Sequence, residues 1–239
     1  MSSLFLAFVA ATAGLVALSI ARWLPRRQAR PALLGLAAWL AYAGLLSYFG
    51  VIRDPAMRPP GPTLLVAPVV LFVILFLVRS EAAGRIAASV PLAVLLGAQT
   101  YRVGVELFFH QLWQAGLAPH MLTYGGANFD ILIGLSAPVA AFLYATRRVG
   151  TRAVIVWNAI GLATLANIAV RAALTAPGPL NLIHAEVPNL ALGTFPYTYI
   201  PGFFAPLAVT LHVLAIRAAR AQLRHSREQR PSAAIPEAP

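Results

Sequence analysis

MSSLFLAFVAATAGLVALSIARWLPRRQAR, residues 1–30, runs through Ala21 without one charged side chain and then places Arg22, Arg26, Arg27 and Arg30 in quick succession. An apolar stretch of this length matches the roughly 20 helical residues that cross a hydrocarbon layer about 30 Å thick. A secretory signal carries its positive charge before the apolar run, whereas here the charge follows it. The order predicts a retained first helix with its N-terminus outside and its arginines on the cytoplasmic side.

Working outward, six further apolar stretches complete the pattern, and the spans are expected at 4–21, 32–52, 63–78, 86–110, 129–146, 153–175 and 200–217. All eighteen basic residues are arginines, and fourteen of them fall in the loops 22–30, 79–85 and 147–152 or in the C-terminal segment from Arg217. The opposite loops hold only Arg53 and Arg58, and the segments 113–128 and 177–199 hold none. This asymmetry predicts seven transmembrane helices, N-terminus outside and C-terminus cytoplasmic, in an all-α membrane bundle over residues 1–220. Residues 221–239 have too little apolar surface to fold alone and read as a disordered basic tail. The setting implied is a cell inner membrane, with the lipid bilayer as the main partner.

Composition narrows the function classes. The 239 residues are 59% hydrophobic and 10% charged, far below the charge of a water-soluble domain. A net charge of +11 could suggest nucleic acid. Clustering beside apolar spans explains it instead through orientation and anionic lipid, so no nucleic-acid partner is expected. With no cysteine, a thiolate metal site, an iron-sulfur cluster and a cysteine nucleophile are excluded. No cofactor is expected. The histidines His110, His120, His184 and His212 show no metal-ligand spacing, and His110 with His212 are at different depths for a haem.

Ionisable residues inside apolar spans are costly and therefore mark candidate sites. Arg102, Glu106 and His110 are four residues apart and stack on one helix face. Counted from Ile86, Arg102 lies about 24 Å along its span and Glu106 about 30 Å. Asn167 and Arg171 lie about 21 and 27 Å along theirs, and Asp130 opens span five from the outer side. Arg102, Glu106, His110, Asp130, Asn167 and Arg171 thus form the candidate ligand-binding set at one outer level. Arginine forks suit a small polar or anionic ligand or a lipid headgroup. Plainer roles compete: an Arg102–Glu106 bridge along one helix, or Asp130 complementing a helix N-terminus that Asn128 caps. A membrane-embedded enzyme using Glu106 or His110 as acid or base, and a structural or assembly subunit, are the alternative functions.

The stretch Arg102-Val103-Gly104-Val105-Glu106, Asn128-Phe129-Asp130 and Phe195-Pro196-Tyr197 resembles an uncharacterised group of bacterial multi-pass membrane proteins. The likeness covers mainly residues 99–135 and 195–217 and brings no activity with it. A microbial rhodopsin is excluded because the chain has no lysine for a Schiff base. Gly134-Leu135-Ser136-Ala137 is a poor serine-nucleophile motif with no histidine tied to it.

Overall fold

Apolar side chains that have no water to avoid can face outward, and this chain arranges itself accordingly. The structure, a computed structural model, describes residues 1–54, 57–177 and 181–229. Among these the fold is all-α, without a strand. The helices are α1 (Ser2–Trp23), α2 (Arg26–Tyr48), α3 (Thr63–Val78), α4 (Glu81–Ser89), α5 (Leu92–Gln114), α6 (Asp130–Ala145), α7 (Thr151–Thr175) and α8, which opens with a π-turn at Ile200–Phe204 and continues as Ala205–Glu228.

Five of them, α1, α2, α5, α7 and α8, are long and apolar enough to cross a membrane. The pair α3 and α4 adds a sixth if counted as one span, but it bends by 75° between the two. Helix α6 is apolar and shorter. Leu15, Leu18, Leu34, Leu75, Leu132, Leu135, Val156 and Ile160 are exposed, while Arg102, Glu106, Asp130, Asn158 and His212 are buried. That inversion of the water-soluble pattern is what a lipid-facing bundle requires.

The break between α3 and α4 has two causes. The Ser80 side chain accepts from Ala83 N–H at 3.1 Å and starts a new helix. The carbonyls left at the end of α3 are met from α8: Arg217 Nη1 donates to Leu77 O and Val78 O, both at 2.7 Å, and Nη2 donates to Ser80 O at 2.9 Å. A guanidinium placed there satisfies acceptors that a helix terminus otherwise leaves without partners.

The fourth span differs from the sequence expectation. A continuous helix over 86–110 is replaced by two, because Pro91 lacks an N–H and pushes Val90 into extended backbone (φ −98°, ψ 128°). The long helix therefore starts at Leu92. Ten residues further on, Arg102 lies about 15 Å along it, near the middle of the helix. At the other end of the chain α8 runs on to Glu228, eight residues into the segment expected to be a disordered tail. Residues 230–239 of that segment lie outside the described residues.

Helix α7 packs along α8, and α5 is held between α6 and α8. Aromatic rings join α1 to this group: Phe5 meets Phe108 edge-on at 5.0 Å, and Phe8 stacks on Phe204 at 5.0 Å. Gly104 makes room for the Phe8 ring, since a β-carbon at that position would lie 2.5 Å from it. The polar residues meet where α5, α6, α7 and α8 come together.

Candidate functional site

The polar centre grows from one long side chain. Arg102 on α5 is 3% exposed, and a buried guanidinium needs acceptors for several donors. Its Nη2 forms an ion pair with Asp130 Oδ2 in the first turn of α6. Its Nη1 donates to His212 Nε2 on α8 at 3.0 Å. Gly134 permits the approach of α5 and α6, because a β-carbon there would stand 2.8 Å from Val103.

The tautomer of His212 follows from its neighbours. Asn158 Nδ2 on α7 donates to Val154 O at 2.8 Å, so Asn158 Oδ1 is the atom that faces the ring. His212 Nδ1 lies 2.8 Å from that oxygen and must be the donor. Nε2 is then free of hydrogen and accepts from Arg102. The imidazole is neutral, since a second N–H would point at the guanidinium. Gly161, one turn beyond Asn158, leaves the space in which the ring sits.

Asn128 sets the far end of the network. Its Nδ2 donates to Leu122 O at 3.0 Å and to Glu106 Oε2 at 2.6 Å, while its Oδ1 accepts from Asp130 N–H at 3.0 Å. Phe129, not Asn128 as expected, holds the N-cap position of α6; Asn128, one residue before it, still receives the Asp130 N–H and also bonds the buried Glu106. The Arg102–Glu106 bridge is not formed; the guanidinium goes to Asp130 and the glutamate to Asn128. A continuous chain of hydrogen bonds and one ion pair therefore runs from Asn158 through His212, Arg102, Asp130 and Asn128 to Glu106. Flanking it, Tyr101 donates to Phe204 O at 2.7 Å and Gln99 to Ala208 O at 3.2 Å.

The expected outer set is divided by the structure. Arg102, Glu106 and Asp130 gather in the sealed centre. Asn167 and Arg171 lie one turn apart on α7, apart from that centre, where Arg171 Nε donates to Asn167 Oδ1 at 2.9 Å and Asn167 Nδ2 donates to Ala127 O at 2.7 Å. They line a groove of about 470 Å³ whose other walls include Ala163, Val170, Leu174 and Ile183. No carboxylate pairs with Arg171 among the described residues.

His110 belongs to neither part. Its half-buried ring stacks on Tyr124 at 4.9 Å and leans on Trp113 at 5.1 Å, and Trp113 in turn packs on His120 at 4.7 Å. Glu186, from the loop before α8, accepts from the backbone N–H of His120. That donor holds its carboxyl below the usual carboxylate range. The loops that precede α6 and α8 are thereby tied together.

Sequence reasoning missed His212 as the partner of Arg102 and missed Asn158 altogether. A signal existed: an amide at Asn158 and a glycine at Gly161, three apart on one helix face, mark a polar contact beside a gap. The partner of that gap lies 51 residues away and is not written locally.

A family model described as a domain of unknown function, DUF8737, matches residues 59–220, a segment that contains every member of the buried polar chain. No curated protein and no solved structure matches the chain.

Proposed function

The chain belongs to the DUF8737 family, a domain of unknown function, and within it we propose a seven-span inner-membrane protein that binds an anionic group in the outer leaflet through Arg171. The five long apolar helices, the bent pair and the short α6 support a seven-crossing path, and the arginine asymmetry supports an N-terminus outside. In that orientation α7 runs outward. Arg171, twenty residues past Thr151, comes about 30 Å along it, at headgroup depth.

The observation that carries the reading is the state of the Arg171 guanidinium. Its Nε is anchored by Asn167, which is itself anchored to the loop before α6, so the fork is preorganised. Arg171 lines a groove and pairs with no carboxylate among the described residues. A planar, permanently charged fork at an apolar wall suits a phosphate or carboxylate, and the aliphatic walls suit acyl chains.

Native mass spectrometry of the protein extracted in mild detergent, then exposed to phosphatidylglycerol or phosphatidylcholine, tests this. Wild type is expected to retain the anionic lipid, and Arg171→Gln to retain it several-fold less at an unchanged unfolding temperature. Competition by inorganic phosphate would identify a soluble anion as the source. Equal retention by Arg171→Gln and wild type would refute the site.

A further inference from the structure

Two carboxylates and one guanidinium share the sealed centre. Glu106 is 2% exposed and Asp130 4%. The positive charge is already committed, because Arg102 uses Nη2 for Asp130 and Nη1 for His212. Glu106 receives only the Asn128 amide, at 2.6 Å. Asp130 Oδ1 is buried and has no hydrogen-bond partner.

The other groups around the pair add no charge. From α5 comes Tyr101, from the preceding loop Asn128, from α7 Asn158, and from α8 the neutral His212, whose Nε2 is an acceptor. With both carboxylates ionised the centre would hold a net charge of −1 in a medium where an unpaired ion is disfavoured by several kcal/mol. One further positive charge restores neutrality. Among the described residues no cluster of three or more metal-binding side chains lies there, and a proton is the cation that needs no further ligands.

We propose that Glu106 and Asp130 form a membrane-embedded proton-binding site, in which one exchangeable proton resides on Glu106 while Asp130 stays ionised against Arg102. The amide of Asn128 covers one glutamate oxygen and leaves the other to carry the hydrogen. The guanidinium is paired with the aspartate. A protonated carboxyl in an apolar site is also the group that hydrophobic carbodiimides modify: the acid proton passes to a carbodiimide nitrogen, the carboxylate adds to the central carbon, and the adduct rearranges to a stable acylurea.

The detergent-purified full chain is treated with dicyclohexylcarbodiimide and digested for mass spectrometry, and the infrared carbonyl-stretch band of protonated carboxyl is recorded in parallel. Wild type is expected to carry the adduct on the fragment containing Glu106 and to show the band, and Glu106→Gln to lose both. In Asp130→Asn, Arg102 is released to ionise Glu106, so labelling should fall several-fold. A band lost in Glu106→Gln without labelling still supports the site, with the carboxyl shielded from the reagent. Absence of the band in wild type, or its persistence in Glu106→Gln, overturns the proposal, and this comparison holds even where Asp130→Asn gives no folded protein.

Discussion

The imidazole of His212 occupies the space in which a side chain on Gly161 would begin: a β-carbon there would overlap the ring. The ring cannot move aside cheaply, because Asn158 holds one nitrogen and Arg102 the other. A glycine on α7 thus sets the position of a guanidinium on α5 through a histidine on α8.

Gly161→Ala is accordingly expected to lower stability by about 1–3 kcal/mol through overpacking and loss of the His212 contacts. Gly35→Ala is the control, since nothing lies within 4 Å of a β-carbon at that position. Thermal unfolding in detergent should show a clear drop for the first variant and little change for the second. Equal behaviour would mean that the ring is not held where the structure puts it.

Removing one member of the buried ion pair should be worse than removing both. Arg102→Met leaves Asp130 charged and unpaired, at an expected loss of about 3–5 kcal/mol. Arg102→Met combined with Asp130→Leu should recover most of that loss. A double-mutant cycle on unfolding midpoints checks the coupling, and additive losses would argue against the pair.

The bend between α3 and α4 depends on Arg217. Arg217→Ala withdraws donors from three carbonyls and should destabilise the bend by about 1–3 kcal/mol. Arg217→Lys, with a single-point cation, should recover part of it. Hydrogen exchange confined to residues 77–83 is the readout. Uniform exchange across all helices would point to a global effect instead.

The strap between the loops that precede α6 and α8 is expected to weaken in acid. The His120 N–H lowers the proton affinity of Glu186 in the folded protein. Its contribution is therefore present above the unfolded carboxylate range and is lost as pH falls through the lower folded value. Exchange of the His120 amide should accelerate there in wild type. In Glu186→Gln the rate should follow only the intrinsic pH dependence of amide exchange.

Orientation is open to direct measurement, because the chain has no native cysteine. Ser3→Cys should react with an impermeant maleimide added to intact cells, whereas Ser226→Cys should react only after the membrane is opened. Both residues labelled from the same side would reject seven crossings.

The helices long and apolar enough to cross a membrane, and the arginine asymmetry, were legible in the chain itself. Helix length follows from local apolar runs, and side preference from arginines within a few residues of each run. Pro91 was misjudged, since the apolar run continues on both sides of it, and that shifted Arg102 by a third of a membrane. Sequence also singled out the expensive residues Arg102, Glu106, Asp130, Asn167 and Arg171. What it left undecided was which of them meet, because an ion pair between α5 and α6 and a histidine bridge to α8 depend on the order of helices around the bundle. Contacts such as Arg102 with His212, 110 residues apart, exist only once Gly134 and Gly161 let the backbones close. Hydrophobic burial says that a helix enters lipid, but the depth of each turn and the neighbour it faces are set by packing between helices.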